Sequence, residues 1–156
     1  MSSNNDKKQN EKFEYEIENN EITITKYLGE SKEVIIPETI EGYLVTHIAY
    51  KALQSNQLTS VIIPRTVTTI GIAAFVDNQL TSVRIPESVT HIGSFAFAGN
   101  QLTSVTIPKS VTFIGKSSFA GNELTNIIIE ADESRFSDEY TWEDIGFPLN
   151  LNPKDD

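Results

Sequence analysis

The 156-residue chain lacks cysteine altogether, which excludes disulfide bonds and thiolate metal sites. It also lacks any apolar run long enough to cross a membrane, and no apolar region of a signal peptide follows its polar first ten residues. The residues therefore predict no membrane insertion. A complete chain of this kind is expected to stay in the cytoplasm.

Positive charge is also scarce, since 12 lysines and arginines face 22 aspartates and glutamates, for a net charge of −10. The acids are concentrated at the two ends. Residues 1–36 carry 8 acids and 5 bases, residues 37–122 carry 4 and 5, and residues 123–156 carry 10 and 2. No stretch has the clustered bases that bind phosphate backbones or anionic lipid, so we predict no nucleic-acid partner.

The dominant feature of the sequence is a 22-residue phrase that occurs three times in tandem. The copies begin at Asn56, Asn78 and Asn100, and the last two are identical at 16 of 22 positions. They read NQLTSVIIPRTVTTIGIAAFVD, NQLTSVRIPESVTHIGSFAFAG and NQLTSVTIPKSVTFIGKSSFAG. A fixed period of this length is typical of a solenoid in which each copy forms one coil.

Each copy predicts two short strands and a corner. In the first copy Val61 and Ile63 point to one side of a strand, and Pro64 then bends the chain out of it. A second strand ends at Gly71, where glycine permits a tight corner, and a helical turn carries Phe75 into the core. The asparagine that opens the next copy is expected to hydrogen-bond the turn backbone of the neighbouring coil.

The pattern continues beyond the three copies and predicts about five coils over residues 33–130, the first with a five-residue insertion around residues 41–45. Residues 1–12 are predicted to be a disordered tail. Alternating residues on both sides of Asn19 and Asn20 predict a capping hairpin over residues 13–32. Residues 131–156 are predicted to form an acidic C-terminal cap and tail, with segment 136–147 covering the last coil.

The phrase L-T-S-V-x-I-P-x-S-V-T-x-I-G-x-x-A-F resembles the bacterial BspA-like subclass of leucine-rich repeats, over roughly residues 13–130. The expected fold is a right-handed repeat solenoid, mainly β with short helical turns, of about five 22-residue repeats behind an N-terminal β-hairpin cap. The resemblance also implies a surface or secreted protein that binds host or matrix proteins, with no catalytic residues in the repeats.

Candidate partner contacts are the outward positions that vary between copies, because stacking of the coils is indifferent to them. They support a non-catalytic protein-binding module, used for adhesion or interaction, with an unidentified protein partner. The alternative is a structural or spacer solenoid without a ligand, and a homodimer through a solenoid end is a further hypothesis. The candidates form one column in the first strand (Ile35, Ile62, Arg84, Thr106, Ile128), one after the prolines (Arg65, Glu87, Lys109) and one in the second strand (His47, Thr69, His91, Phe113).

Other functions find less support in the residues. His47 and His91 would lie two rungs apart, about 9–10 Å, which is too far for one zinc ion. No serine, histidine and aspartate have the spacing of a catalytic triad, and the C-terminal acids lack the pattern of a calcium loop. We predict no enzyme, no metal and no cofactor. Ice binding is a remote alternative based on two threonine columns: Thr46, Thr68, Thr90 and Thr112, and Thr59, Thr81, Thr103 and Thr125.

Overall fold

The computed structural model describes residues 8–132 and 141–152, which form a stack of coils. Within these ranges the chain has twelve strands, one short α-helix and one 3₁₀ turn. The strands are β1 (Lys8–Gln9), β2 (Phe13–Glu18), β3 (Glu21–Tyr27), β4 (Glu33–Ile35), β5 (Thr39–Ile40), β6 (Tyr43–Ile48), β7 (Ser60–Ile62), β8 (Thr69–Ile70), β9 (His91–Ile92), β10 (Ser104–Ile107), β11 (Phe113–Ile114) and β12 (Asn126–Ile129). The helix is α1 (Trp142–Ile145) and the 3₁₀ turn is Leu149–Leu151.

A continuous sheet follows the second strand of each coil, in the order β1-β2-β3-β6-β8-β9-β11. The hairpin β2–β3 turns through Asn19 and Asn20, whose φ angles of 51° and 63° are the left-handed values that a two-residue hairpin turn needs. Strand β3 then pairs in parallel with β6, so the hairpin covers the first coil. The predicted solenoid with an N-terminal hairpin cap is confirmed.

The predicted disordered tail is wrong for its last residues. Strand β1 pairs antiparallel with β2, with Lys8 opposite Tyr15. The chain turns back toward β2 because Asn10 Oδ1 accepts hydrogen bonds from the backbone N–H groups of Lys12 and Phe13, both at 2.9 Å. Residues 1–7 of the predicted tail lie outside the described residues.

The insertion in the first coil forms a small hairpin of its own, in which β5 pairs antiparallel with β6. Its turn residues Glu41 and Gly42 have φ angles of 55° and 84°. The Tyr15 hydroxyl donates to Glu41 Oε2 at 2.9 Å, which ties this hairpin to the N-terminal one. Burial, together with that carboxylate, raises the pKa of the Tyr15 hydroxyl.

The glycine at the end of each second strand is required by space. A Cβ on Gly71 would lie 2.6 Å from the Ile48 carbonyl oxygen, and one on Gly93 would lie 2.6 Å from the Ile72 nitrogen. Gly115 faces Ser94 in the same way. The coils therefore approach each other backbone to backbone at this corner, and any side chain would push them apart.

The predicted helical turn after each glycine is instead a pair of β-turns. In the first copy they are closed by Ala74 N to Gly71 O and by Val76 N to Ala73 O, each at 3.2 Å. Ala73, which belongs to both turns, has a φ of 57°, and the equivalent Phe95 has a φ of 60°. A left-handed residue cannot continue a right-handed helix, so the chain turns without forming one.

The core is a set of ladders in which each coil adds one rung. Phe75 and Phe97 stack with ring centroids 5.3 Å apart, and Phe97 and Phe119 follow at 5.5 Å. The fourth ring, Phe147, comes from the C-terminal segment and lies 5.3 Å from Phe119. No helix among residues 8–132 and 141–152 combines the length and the apolar character that a bilayer span requires.

The segment from Thr141 to Phe147 covers the last coil. Thr141 caps α1, and the backbone N–H of Phe119 donates to the Ile145 carbonyl at 3.0 Å, as it would to another coil. Gly146 packs directly on Ala120, where a Cβ would collide with the backbone. Residues 133–140 of the predicted cap, and residues 153–156 of the predicted tail, lie outside the described residues.

Acidification is expected to loosen this cap first. Asp144 Oδ2 accepts from the Thr141 backbone N–H and hydroxyl, both at 2.9 Å, and the backbone bond above all lowers the pKa of Asp144 from its usual 3.8. Because its pKa is lowered in the folded state, the ionised Asp144 carboxylate stabilises the cap above about pH 4. This stabilisation is lost as the pH falls through the pKa of the folded state. Fluorescence of Trp142, the single tryptophan, should therefore shift to the red in acid while the far-UV circular dichroism is still native.

Asp144→Asn should show a red-shifted Trp142 emission already at neutral pH, with little further change in acid. Glu143→Gln, on the same turn of α1, is the control and should keep the acid step. An Asp144→Asn protein that keeps the full acid step would contradict this assignment.

Candidate functional site

The predicted first-strand column consists of exposed side chains, three of which are isoleucines. We call the outward side of β4, β7, segment 82–85, β10 and β12 the first-strand face. Ile35 lies opposite Ile62 across β4 and β7, and Thr106 lies opposite Ile128 across β10 and β12. The three isoleucines are 70%, 55% and 49% exposed.

The predicted ladder is interrupted at its third rung. Segment 82–85 is not a strand, and its backbone has no hydrogen bonds to the neighbouring coils within the described residues, so β4–β7 and β10–β12 are two separate sheets. Val83 is only partly buried, whereas the equivalent Val61 and Val105 are buried. Arg84 lacks the β-branched side chain of Ile62 and Thr106, which fits a pleated strand better. The prediction that Arg84 lies in a strand of the first-strand column is therefore wrong.

Two shallow cavities lie on the first-strand face. One, of about 310 Å³, opens beside the interruption, and the other, of about 360 Å³, lies beside Ile35 where the N-terminal hairpin meets the first coil. Sequence reasoning missed both because they depend on how the coils separate. The first is lined by Val83, Arg84, Ile85, Glu87, Thr106, Pro108 and Glu130, and the second by Asn10, Glu11, Lys12, Phe13, Ile35 and Pro37.

The column after the prolines is a solvated row of charges. Arg65 Nε lies 3.3 Å from Glu38 Oε1, and both side chains are largely exposed. An exposed pair of this kind contributes at most about 1 kcal/mol to stability. Glu87 lines the cavity beside Arg84, and Lys109 is exposed. These side chains are therefore free to contact a partner at little cost to the fold.

The second-strand column lies on the continuous sheet. His47, Thr69, His91 and Phe113 are successive register partners, as the 22-residue period predicts. The rings of His91 and Phe113 stack with centroids 5.8 Å apart. This column and the first-strand face belong to different sheets. The twelve predicted contact residues are thus divided between two surfaces.

The threonine column beside the second-strand column links successive coils by hydrogen bonds. The hydroxyls of Thr68, Thr90 and Thr112 donate to the carbonyl of the threonine one coil earlier, at 3.2–3.3 Å. Thr90 Oγ1 also lies 2.8 Å from His91 Nδ1. Since the hydroxyl proton is used along the stack, the Nδ1–H of His91 donates to Thr90. Hydroxyls committed in this way disfavour the ice-binding interpretation.

No group of three histidine, aspartate or glutamate side chains within residues 8–132 and 141–152 is placed to hold a metal ion. His47 and His91 are on β6 and β9, with Thr69 of β8 between them. Of the acids considered for a calcium loop, Glu133, Asp138 and Glu139 lie outside the described residues.

A further exposed apolar group escaped the sequence analysis. Tyr50, Ile72 and Phe95 are 61%, 51% and 46% exposed at the corner of β-turns. The signal was present, because Phe95 stands where the neighbouring copies have Ala73 and Ser117. Ala73 and Ser117 fill this position with small side chains that are buried or partly buried, so the coil does not require an aromatic ring there.

The coils, the proline bends and the stacked phenylalanines define a leucine-rich-repeat solenoid. The chain belongs to the BspA type leucine-rich repeat family, whose model matches residues 46–150 as six copies. No functionally curated protein is significantly similar to it. The family model extends through α1, in agreement with a C-terminal segment that stacks like another coil.

Solved structures of bacterial proteins share the fold. A leucine-rich repeat protein from Bacteroides capillosus is 31% identical, with a TM-score of 0.69 over 80% of this chain and 99% of that one. The T. pallidum leucine-rich repeat protein is 25% identical, with a TM-score of 0.59 over 77% and 70% of the two chains. The pneumococcal vaccine antigen PcpA is 18% identical with a TM-score of 0.68; the match covers 83% of this chain and 39% of the antigen.

Proposed function

We propose that this chain is a non-catalytic protein-interaction module that contacts a protein partner through its first-strand face. We also propose, from membership in the family, that it acts at the cell surface or after secretion. The observation that carries the proposal is the exposed pair Ile35 and Ile62 on neighbouring rungs of one parallel sheet. Stacking of the coils does not require an outward isoleucine, since Thr106 occupies the same position in β10, which is a regular strand.

The surroundings of this pair suit a protein ligand. Ser60 lies beside Ile62 and Glu33 beside Ile35, and Arg65 and Glu38 lie beyond the prolines, so an apolar centre has a polar rim. The strands hold these side chains at fixed spacing, which lowers the entropy that binding must overcome. The second-strand column, with His91 stacked on Phe113, is a second surface of mixed character.

Ile62→Asp and Thr106→Asp should each abolish capture of the partner in a pull-down, because a carboxylate placed in the apolar centre of an interface is desolvated without a counter-charge. The immobilised chain would be exposed in parallel to solubilised extracellular matrix and to host-cell lysate. Bands captured only from matrix would support a surface or secreted role. The melting temperature should change little, since both side chains face solvent.

Gln101→Asp introduces the same charge at an exposed position where the chain enters a coil, and it should leave capture intact. Bands that survive both substitutions on the face would refute the assignment of this surface. A spacer function predicts no specific band from either source.

A further inference from the structure

The first-strand face ends at a strand edge that no described residue pairs. Among residues 8–132 and 141–152, strand β12 pairs with β10 and with no other strand. The backbone N–H groups of Asn126 and Glu130 donate to Thr103 and Ile107, at 3.3 and 2.9 Å. Since alternate residues of a strand direct their backbone groups to opposite sides, the N–H and C=O groups of Ile127 and Ile129 point away from β10. Four backbone groups therefore face the free edge.

The side chains at this edge are apolar and incompletely covered. Ile127 and Ile129 occupy core positions of the coil but are only partly buried. The equivalent residues one coil earlier, Val105 and Ile107, are 4% and 0% exposed. Another strand laid on β12 would complete the burial of both isoleucines and satisfy their backbone groups.

The opposite end of the same face is protected against such pairing. The Ser31 hydroxyl donates to the Glu33 carbonyl at 2.8 Å and accepts from the Glu33 N–H at 3.2 Å, which occupies the outward backbone groups of Glu33, the first residue of β4. Pro37, two residues after Ile35, offers no N–H. Proline at a strand edge is one way in which natural sheets prevent further pairing. Strand β12 has neither device, and Glu130 stands where the earlier copies have proline.

Charge indicates what can occupy the edge. Glu123 and Glu130 flank β12, and α1 carries Glu143 and Asp144 at the same end of the stack. Residues 123–156 hold 10 acids and 2 bases. A second copy joined end to end would bring two acidic surfaces together, whereas a basic segment would be attracted to this one.

We propose that the free edge of β12 is a strand-addition site for an extended, basic segment of a partner protein that alternates β-branched residues with lysine or arginine. Its backbone bonds the outward N–H and C=O groups of Ile127 and Ile129. Its apolar side chains cover these isoleucines, and its cations lie near Glu123 and Glu130. This site is distinct from the first-strand face and does not depend on the function proposed for that face.

The probe is a fluorescein-labelled peptide, Lys-Val-Thr-Val-Lys-Val-Lys, capped at both ends and titrated into the full chain. Its binding by fluorescence anisotropy should weaken at least tenfold when every lysine is changed to glutamate, and should weaken with added salt. In nuclear magnetic resonance experiments on the unaltered protein, the amides of Ile127 and Ile129 should gain protection from hydrogen exchange, while that of Ile128 should not change. Absence of binding, or protection elsewhere, would overturn the proposal.

A matched pair of variants isolates the backbone groups. Ile127→Pro and Ile127→Ala both remove the side chain, but only proline removes the outward N–H, so Ile127→Pro should bind at least tenfold more weakly than Ile127→Ala. Ile62→Asp should bind normally, which separates this site from the first-strand face. Equal binding by the two Ile127 variants would overturn the proposal. So would a concentration-dependent dimer that Ile127→Pro dissociates, since the edge would then pair with a second copy.

Discussion

Replacing Asn100 by alanine is expected to lower the free energy of unfolding by about 3–5 kcal/mol. The buried Leu80 N–H loses its hydrogen-bond acceptor, and the carbonyls of Phe75 and Phe97 each lose one of their two amide donors, keeping only those from Asn78 and Asn122. Asn100 is 5% exposed. Its Nδ2 donates to the carbonyls of Phe75 and Phe97, each at 3.0 Å, and its Oδ1 accepts from the Leu80 N–H at 3.1 Å. One amide side chain thus joins two turns to the start of the coil between them.

The amide is the only side chain of its size that can make this set of bonds. Asn100→Asp keeps an acceptor for the Leu80 N–H but places a carboxylate against the carbonyls of Phe75 and Phe97, so it should destabilise at least as much as alanine. Since an ordinary domain is stable by about 5–15 kcal/mol, either change removes a large part of the total.

Asn56→Ala is the matched control. Asn56 occupies the same place two copies earlier, but its Nδ2 donates only to the Gln54 carbonyl, at 2.9 Å, and it is only partly buried. Its removal should lower stability by about 1 kcal/mol. Urea unfolding followed by far-UV circular dichroism compares the two variants. Equal losses would show that the amide of Asn100 does not join the coils.

The asparagine ladder was predictable because the repeat itself carries the information. A polar residue that recurs every 22 positions meets equivalent backbone groups wherever a full coil lies on each side of it, as Asn78, Asn100 and Asn122 do. The hairpin at Asn19 and Asn20 was predictable for a local reason, since few sequences other than Asn-Asn or Asn-Gly accept two successive left-handed residues.

The details of the candidate surface were not predictable in this way. The interruption at segment 82–85 arises where Arg84 replaces a β-branched residue in one copy. A prediction made from the pattern common to all copies does not detect a change in one of them. The free edge of β12 depends on which residues fail to pair, which a sequence does not state. Gly71 was assigned to the corner correctly, but the sequence analysis explained it by the flexibility of glycine. The structure shows instead that a Cβ would collide with the Ile48 carbonyl, a contact that exists only after the coils stack.

Phe97→Ala is expected to destabilise the protein by about 3–5 kcal/mol through the cavity that it leaves. The ring of Phe97 is fully buried between Phe75 and Phe119, at centroid distances of 5.3 and 5.5 Å and interplanar angles of 4° and 11°. Phe97→Leu keeps most of the volume and should cost about 1–2 kcal/mol, and the part of that loss beyond the smaller volume reports on ring stacking.

Phe95→Ala controls for the loss of an aromatic ring only two residues away. Phe95 is 46% exposed and has a left-handed φ of 60° in the corner turn. Its replacement should change the free energy of unfolding by no more than about 0.5 kcal/mol, since Phe95 lies outside the buried core. A loss at Phe95 equal to that at Phe97 would contradict the assignment of Phe97 to the continuous ladder.

The position of Phe97 in the middle of the stack has a further consequence. Each coil contacts only its neighbours, so a cavity at a central rung weakens the coupling between the N-terminal and C-terminal coils. Trp142 lies on the C-terminal side, where it packs 4.9 Å from Phe147 at the end of the phenylalanine ladder. In the unaltered protein the Trp142 emission and the far-UV signal should change at the same urea concentration. In Phe97→Ala the Trp142 transition should come first, because the C-terminal coils are separated from the hairpin-capped end. Coincident transitions in Phe97→Ala would show that the stack transmits stability past the cavity.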